Sequence, residues 1–443
     1  METLQMPSTD RRAQLMVEDS ANILKRFYFV QRALVVMQAG WVPGAEHWQS
    51  KLLLPEFLWQ DALVAKELRQ RVLELRYPER KILPGDDAPF LAVWQKLADA
   101  PHSLAFTEGL RQVVKPLLRR AYQTYLDTAD HLDDGPTIRI IRQALWDIDD
   151  QLARWAAAAD DARAVYPEQI SAAERWVAGL NALREPLFDW LTRWPVSQPA
   201  PAFEPADFGG QPFAISRTGA RDRRFDTVKF PWPDALYQRH PGEGMELQIR
   251  QATHHLNEIW ATEMAAACIF DLADHGPAEF LDDAARWCYD EVRHCRMGFE
   301  RFAQWGFTLP EMPIGTFSYD AGAEADPLTR LGIIFYFETT FIHTKWERFR
   351  IFGEAGDRVS SHDMDFDWAD EQIHTHYGSR WLKYFLQRQK DSRTPIDFRP
   401  EAEACVARIR AAATPQDYAD TERIYQRTMA RARQLAVAVA PVA

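Results

Sequence analysis

Two short segments of this chain repeat one pattern of charged side chains at one spacing. The segments are Asp290-Glu291-Val292-Arg293-His294 and Asp370-Glu371-Gln372-Ile373-His374, and each lies 33 residues after another glutamate, since 291 − 258 = 33 and 371 − 338 = 33. Residues three positions apart lie on the same face of an α-helix, so each Glu-x-x-His pair presents a carboxylate and an imidazole together. The repeat therefore favours a fold in which four helical segments face one another.

These residue types indicate a site for two divalent metal ions. A bundle with one glutamate on each of two helices and one Glu-x-x-His pair on each of the other two can surround such ions. Four carboxylates cancel the charge of two divalent ions inside an apolar interior, where uncompensated charge is costly. Ligation by carboxylate and imidazole without thiolate suits iron or manganese better than structural zinc. The predicted ligands are Glu258, Glu291, His294, Glu338, Glu371 and His374.

Two aspartates beside the ligands are predicted to orient the histidines. Asp290 and Asp370 each precede a ligand glutamate by one position. Metal-bound histidines usually donate their second N–H group to a carboxylate, which fixes the tautomer. We predict a crossed arrangement in which Asp290 holds His374 and Asp370 holds His294; solvated surface aspartates are the alternative.

Two further polar residues follow the single glutamates at equal distance. Glu263 lies five residues after Glu258, and His343 lies five after Glu338. Five residues turn a helix by about 140°, so neither side chain should share the ligand face. We predict that both line an adjoining pocket. Glu263 is also the alternative ligand should Glu258 not be one, because the same hairpin could accommodate it.

Helical periodicity dominates the chain, which predicts an all-α fold. A length of 443 residues, 47% of them hydrophobic, suggests two domains. Eight of the 27 prolines lie between residues 195 and 241, which indicates the boundary. The predicted domains are a helical bundle without metal ligands at 1–195, a linker rich in proline and glycine at 196–245, and a di-metal domain at 246–436.

Helix signals place four helices around the predicted ligands, at about 246–274, 277–304, 327–353 and 363–390. Gly276-Pro277 gives a helix end followed by a helix start, and Asp326-Pro327 gives an N-cap followed by proline. A long connection at 311–325 would let the chain cross between two antiparallel hairpins. A further helix is predicted from Pro415 to about Leu435.

The first domain shows weak similarity to the second. The segment from His131 to Pro136 resembles the later turn at Gly276-Pro277, and aligning the turns places Asp150 at the position of Glu291. Ala153 then replaces the histidine, and Asp61 and Val64 form a second altered pair. We interpret this half as a degenerate copy that supports, covers or dimerises the protein; an unrelated helical domain is the alternative.

Charge and hydropathy narrow the classes of partner. The net charge of −12 is spread along the chain, which disfavours a nucleic-acid partner and favours a small-molecule substrate. The first residues lack the apolar core of a signal peptide, and no apolar run reaches membrane-spanning length. The expected location is the cytoplasm, with no membrane association.

Residues 250–390 resemble the ferritin-like di-iron carboxylate superfamily. The ligand spacing is similar to that of bacterioferritins, and Asn257-Glu258-Ile259 matches their Asn-Glu-Leu on the first helix. The segments around Glu258, Asp290 and Asp370 look closer to largely uncharacterised ferritin-like-domain proteins and to tRNA-modifying hydroxylases.

The resemblance implies a ferritin-like four-helix bundle that binds two iron ions, with a manganese–iron pair as the alternative, and uses O2 as co-substrate. The implied activity is that of a non-haem di-iron oxidase or oxygenase that hydroxylates, desaturates or N-oxygenates a small molecule. An external electron donor and a homodimer are compatible with it. Iron storage with ferroxidase activity, a tRNA hydroxylase, a radical-generating subunit and an interaction scaffold are the competing functions.

Overall fold

A computed structural model describes residues 12, 14–76, 81–194, 212–233 and 243–439, and no β-strand forms within these ranges. The predicted all-α class is confirmed. The α-helices of the described residues are, in chain order, α1 Val17–Trp41, α2 Trp48–Leu75, α3 Ala88–Gln95, α4 Ser103–Gly109, α5 Lys115–Thr128, α6 Gly135–Val165, α7 Ile170–Ala182, α8 Arg184–Thr192, α9 Gly244–Asn257, α10 Ile259–Leu272, α11 Ala278–Trp305, α12 Phe317–Ala323, α13 Pro327–Glu354, α14 Arg358–Gln389, α15 Arg399–Ala412 and α16 Pro415–Val439.

The chain divides into two compact units. The N-terminal unit comprises Met1–Gln38 and Phe57–Ala214, and the C-terminal unit comprises Ala39–Glu56 and Ile215–Ala443. This division differs from the predicted domains, because residues 39–56 and part of the predicted linker belong to the C-terminal unit. Residues 196–211 and 234–242 of that linker lie outside the described residues.

Aromatic packing explains why these segments belong to the C-terminal unit. Trp48 from the start of α2 and Phe225 and Trp232 from the predicted linker share one apolar core with residues of α9, α11 and α16. The rings of Trp48 and Phe225 lie edge to face at 5.0 Å. The apolar area that these rings bury stabilises the unit, so residues 215–233 serve as core rather than as a spacer.

In the N-terminal unit, Lys115 neutralises the buried carboxylate of Asp61, one of the residues that we interpret as a degenerate copy of the ligand pattern. Helix α4 contacts α6 and α7, and α5 contacts α6 and α8. Asp61 on α2 is buried and accepts hydrogen bonds from Lys115 at 2.6 Å and from Gln38 at 2.7 Å. Asp150 lies on α6, where it pairs with Arg154 four residues later.

We expect Lys115→Met to destabilise the N-terminal unit strongly. Removing one partner of a buried ion pair leaves the other charge uncompensated, which costs about 3–5 kcal/mol. Chemical denaturation followed by circular dichroism measures the loss. The matched control is Arg119→Met, because Arg119 and Asp149 form an exposed pair of a kind worth less than about 1 kcal/mol. Equal effects of the two substitutions would contradict the expectation.

In the C-terminal unit, four helical segments surround one interior. Helix α10 contacts α11 and α13, α13 contacts α14, and α14 contacts α11. Helix α9 also contacts α11. Helices α11 and α13 begin and end within one residue of their predicted bounds. The glycine at position 298 allows close approach of α11 and α9, since a methyl group there would overlap the backbone of Leu256 and Ala252.

Local capping explains where the helices begin and end. The Asp326 side chain accepts from the backbone N–H groups of Leu328 and Thr329, which caps α13 as predicted. Helix α14 begins at Arg358, five residues before its predicted start, because Asp357 caps it by accepting from Ser360 N. The predicted bounds leave Asp357 between the helices at 327–353 and 363–390.

The predicted helix at 246–274 is interrupted at Glu258. Helix α9 ends at Asn257 and α10 begins at Ile259. The backbone N–H of Glu258 bonds His255 three residues back, which is a tighter turn than an α-helix makes. The Asn257 side chain donates to Pro313 O and accepts from Gly315 N in the connection between α11 and α13. These bonds fix the position of the neighbouring glutamate.

Among the helices that the structure describes, none combines the length and the apolar character needed to cross a membrane.

Candidate metal centre

Four helical segments of the C-terminal unit bring six acidic and imidazole side chains together in its interior. All six are buried, and their exposed fractions range from 0% for the histidines to 7% for Glu338. One glutamate lies at the junction of α9 and α10 and another on α13, while α11 and α14 each contribute a Glu-x-x-His pair. These are the residues that the sequence pattern singles out, namely Glu258, Glu291, His294, Glu338, Glu371 and His374.

Two subsets of these side chains are close enough to hold one metal ion each. In the first, called position A, one ligand atom from each of four residues lies within 4.8 Å of the others; these residues are Glu291, Glu338, Glu371 and His374. The second, called position B, is formed in the same way by Glu258, Glu291 and His294. Because Glu291 belongs to both, the two positions adjoin.

Several donor atoms of this centre are buried without a hydrogen-bond partner. They are Nδ1 of His294 and of His374, and Oε2 of Glu258 and of Glu371. The His294 nitrogen lies 3.3 Å from the Glu258 oxygen, and the His374 nitrogen lies 3.0 Å from Glu291 Oε1. Buried polar atoms without partners are costly and rare, and their presence at one point indicates a group that the chain alone does not supply. Nitrogen and oxygen donors at this spacing fit divalent metal ions.

The aspartates beside the ligands contact the histidines in a crossed arrangement. His294 Nε2 lies 3.2 Å from Asp370 Oδ2, and His374 Nε2 lies 3.5 Å from Asp290 Oδ2. Donation from Nε2 to a carboxylate leaves Nδ1 of each ring free to bind a metal ion. Asp290 and Asp370 are buried, which excludes the alternative of solvated surface aspartates.

Two arginines outside the predicted set of site residues hold these aspartates in turn. Arg286 Nε lies 2.7 Å from Asp290, and Arg293 bridges Asp290 at 2.7 Å and Asp370 at 2.5 Å. Burial raises the pKa of Asp290, but hydrogen bonds from His374 and Arg286 outweigh burial and lower this pKa below its ordinary value. The spacing on α11 is a signal for this contact, since Arg286 and Arg293 lie four residues before and three after Asp290.

We expect Asp370→Asn to weaken metal binding at position B. The amide keeps the shape of the side chain but can present an N–H group to His294 and disfavour the tautomer that binds metal through Nδ1. Loss of such a partner typically costs about 10- to 100-fold in metal affinity. Titration with Mn2+ measures the change, with Asp365→Asn, an exposed position on α14, as control. An affinity unchanged by Asp370→Asn would show that the aspartate does not orient this histidine.

A further acid in the centre, Asp367, is absent from the predicted ligand set. Asp367 is fully buried on α14, four residues before Glu371 and seven before His374. It forms one group with His294 and Glu371, and another with His255 and Glu258. The spacing of 0, 4 and 7 residues places Asp367, Glu371 and His374 on one face of α14.

A buried lysine on α13 also lies in the centre. Lys345 Nζ donates to Asp367 Oδ1 and to Glu371 Oε1, each at 2.5 Å, and lies 3.6 Å from Glu258 Oε1. Burial lowers the pKa of Lys345, but these carboxylates outweigh burial and hold the pKa well above its ordinary value. Lys345 follows Glu338 by seven residues, nearly two full turns, and so shares its face.

The pKa values of the acidic and imidazole groups reflect their close packing in the buried centre. Burial and the charges of Glu291 and Glu371 raise the pKa of Glu338 well above its ordinary value. For His294 and His374, burial lowers the pKa, but the surrounding carboxylates outweigh burial and raise it. Metal-free, the centre therefore favours bound protons, and metal binding at these ligands would release them.

Two residues predicted to adjoin the centre lie elsewhere. Glu263 is buried on α10, but its carboxylate pairs with Lys51 and Arg221, each at 2.6 Å, so it is not placed to replace Glu258 as ligand. His343 lies on the exposed side of α13. Both differences follow from the five-residue step, which turns each side chain away from the ligand face.

The two halves of the centre differ at one matched position. Trp287 lies four residues before Glu291 on α11, as Asp367 lies four before Glu371 on α14. Trp287 Nε1 donates to Glu291 Oε1 at 3.0 Å, and its ring stacks on His374 with centroids 5.4 Å apart. An apolar ring therefore borders position A, whereas Asp367 lies 3.5 Å from His294 of position B. Lys345 contacts Glu371 of position A and lies 3.6 Å from Glu258 of position B.

Comparison with known proteins assigns no activity to this centre. Residues 216–423 match a family described as "Protein of unknown function (DUF455)", and this range contains all six predicted ligands together with Lys345 and Asp367. No curated protein and no solved structure matches the chain.

Proposed function

We propose that the C-terminal unit is a ferritin-like di-iron carboxylate bundle and that the protein is an O2-activating oxidase or oxygenase of a small molecule. The observation that carries the proposal is the convergence of four buried donor atoms without partners, two imidazole nitrogens and two carboxylate oxygens, from α11, α14 and the junction of α9 and α10. Two iron ions, or one manganese and one iron, are the proposed occupants. All six ligands of the repeated pattern contribute.

Charge balance supports two divalent ions. Five buried acids meet in the centre, and one buried ammonium, that of Lys345, lies among them. Two divalent ions add four positive charges, so that five negative and five positive charges cancel with both histidines neutral. An uncompensated charge in such an interior is costly. The five acids are Glu258, Glu291, Glu338, Glu371 and Asp367.

The side chains of this centre have distinct proposed roles. When bound, two ferrous ions would supply electrons for the reduction of O2, and an external donor would restore them. Asp290 and Asp370 keep Nδ1 of each histidine directed at the ions, and Arg286 and Arg293 hold these aspartates in place. The buried helix faces exclude bulk water.

Differences in exposure indicate the side from which a substrate would approach. Glu258 and Glu338 are 6% and 7% exposed, whereas the ligands of the two Glu-x-x-His pairs are at most 1% exposed. Trp260 follows Glu258 by two positions and Phe337 precedes Glu338 by one. Their rings lie edge to face at 5.2 Å, and Phe337 stacks with Phe341 at 6.4 Å. Aromatic side chains at the more accessible side favour a substrate with an apolar part.

Anaerobic loading with Fe2+ followed by mixing with O2 tests the proposal. We expect two iron ions per chain and a change in the absorption spectrum of the reduced protein on exposure to O2. Asp150→Ala, in the N-terminal unit, is the control and should leave the iron content unchanged. A chain that binds no iron, or binds iron that does not react with O2, would refute the proposal.

Iron storage with ferroxidase activity shares the same metal chemistry and differs in assembly. Storage requires a hollow shell of many copies, so the mass in solution separates the two functions. A monomer or dimer supports the oxygenase, and a large shell with many iron ions per chain supports storage.

A further inference from the structure

A cation belonging to the protein lies beside position B, since Lys345 Nζ is 3.6 Å from Oε1 of Glu258, a ligand of that position. Lys345 Nζ is 2.5 Å from Glu371 Oε1 and 2.5 Å from Asp367 Oδ1. His294 Nδ1, a donor atom of position B, lies 3.5 Å from the same Asp367 oxygen and 3.9 Å from the same Glu371 oxygen. The ammonium therefore holds two oxygens that border the space into which this imidazole nitrogen points.

The two oxygens of Glu371 have different surroundings. Oε1 accepts from Lys345, whereas Oε2 has no hydrogen-bond partner and lies 3.6 Å from His374 Nδ1 in position A. Position A thus keeps four ligand residues, including one free oxygen of Glu371. Position B keeps Glu258, Glu291 and His294, but the Glu371 oxygen on its side is engaged by the ammonium.

We propose that Lys345 is a tethered cation that competes with the second metal ion, so that position A fills first and position B binds a divalent ion more weakly. This inference rests on the proposed metal-binding function of the same centre. An ammonium and a divalent metal ion bind the same carboxylate oxygens, and two neighbouring positive charges repel each other. The second ion therefore has to separate Lys345 from Glu371.

The chemistry of lysine makes this separation feasible. Its charge is compact and is carried on a flexible four-carbon stem, so Nζ can withdraw without movement of α13. Asp367 remains as its partner after withdrawal, and that pair carries no net charge into the two-metal state. A lysine that served only to neutralise Asp367 would have no reason to bind Glu371 as well.

Titration with Mn2+, followed by the electron paramagnetic resonance signal of the free ion, tests the inference without turnover. In the wild-type protein we expect two ions, the second bound at least about tenfold more weakly than the first. Lys345→Met removes the competing charge and should tighten the second ion by about tenfold or more, with a smaller effect on the first.

Two further variants keep the test decisive. Lys345→Arg retains the positive charge in a planar guanidinium, which can donate two N–H groups to a carboxylate. The second ion should therefore bind no more tightly than in the wild type. Lys383→Met, at an exposed position on α14, should change neither affinity. Circular dichroism and thermal melting establish that each variant is folded, and the wild-type and arginine titrations decide the matter if the methionine variant is not.

The outcomes of these titrations distinguish the role proposed for Lys345 from the proposed metal-binding function of the centre. Failure of the wild-type protein to bind any Mn2+ would refute the metal centre as a whole. Two ions bound with equal affinity in the wild type, or a second ion that Lys345→Met leaves unchanged or weakens, would overturn the role of Lys345 and leave the metal centre intact.

Discussion

Glu371→Ala is expected to abolish the proposed two-metal binding and the proposed oxidation that depends on it. Glu371 belongs to position A, joins His294 and Asp367 in a further group beside position B, and is the partner of Lys345. Removing it takes one carboxylate from position A and from the group beside position B, and it leaves the Lys345 ammonium without one of its two partners. Iron per chain after anaerobic loading, together with O2 consumption, measures the effect. We expect at most one weakly bound ion and no turnover.

His294→Ala provides a contrast within the same experiment. His294 belongs to position B but not to position A, so this variant should also lose two-metal binding while keeping one ion at position A. Glu347→Ala, on the exposed side of α13, is the matched control and should bind two ions. Two equivalents of iron and full turnover in the Glu371 or His294 variant would refute the ligand assignment.

Removal of metal is expected to lower the stability of the C-terminal unit by a large amount. Five acids meet in its interior with one lysine, and the raised pKa of Glu338, caused by burial and by Glu291 and Glu371, reflects their mutual repulsion. An ion present at 100 times its dissociation constant stabilises the folded state by about 2.7 kcal/mol, so two ions would contribute roughly 5 kcal/mol. For a unit of this size, each kcal/mol shifts Tm by about 2–4 °C.

Thermal melting with a chelator and with Mn2+ measures this effect. We expect Tm to rise by about 10–20 °C on loading with both ions. Glu371→Ala, which lacks the two-metal site, should show a much smaller rise, and a separate transition of the N-terminal unit should not respond to metal. Identical melting curves of the wild-type protein with chelator and with metal would contradict the proposed centre.

Much of the candidate centre was readable from local periodicity. A Glu-x-x-His pair shares one helix face whatever surrounds the helix, and the turns at Gly276 and Asp326 separate helices near their predicted bounds. The crossed contacts of Asp290 and Asp370 follow from the same geometry, because each aspartate precedes a ligand by one position on a helix that faces its counterpart. The pairs and the turns depend on neighbours within one or two helical turns, whereas the crossed contacts also require that α11 and α14 face each other.

Other members of the centre depend on which face of each helix is buried. Lys345 and Asp367 share a helix face with predicted ligands, but they carry the charge of ordinary surface residues. The contact between them depends on the packing of α13 against α14. The carboxylate of Glu263 pairs with Lys51, which lies 212 positions earlier in the chain, since 263 − 51 = 212. No pattern in the sequence around Glu263 indicates that ion pair.

The sequence by itself determined the all-helical class, the helix hairpins and the six side chains of the repeated pattern, because helix formation and side-chain direction are set by residues three or four positions apart. Tertiary structure alone decided that Lys345 pairs with Asp367 inside the centre, that Glu263 pairs with Lys51, and that residues 39–56 belong to the C-terminal unit. These outcomes depend on contacts between distant segments, where burial and charge compensation of the assembled interior determine which side chains meet.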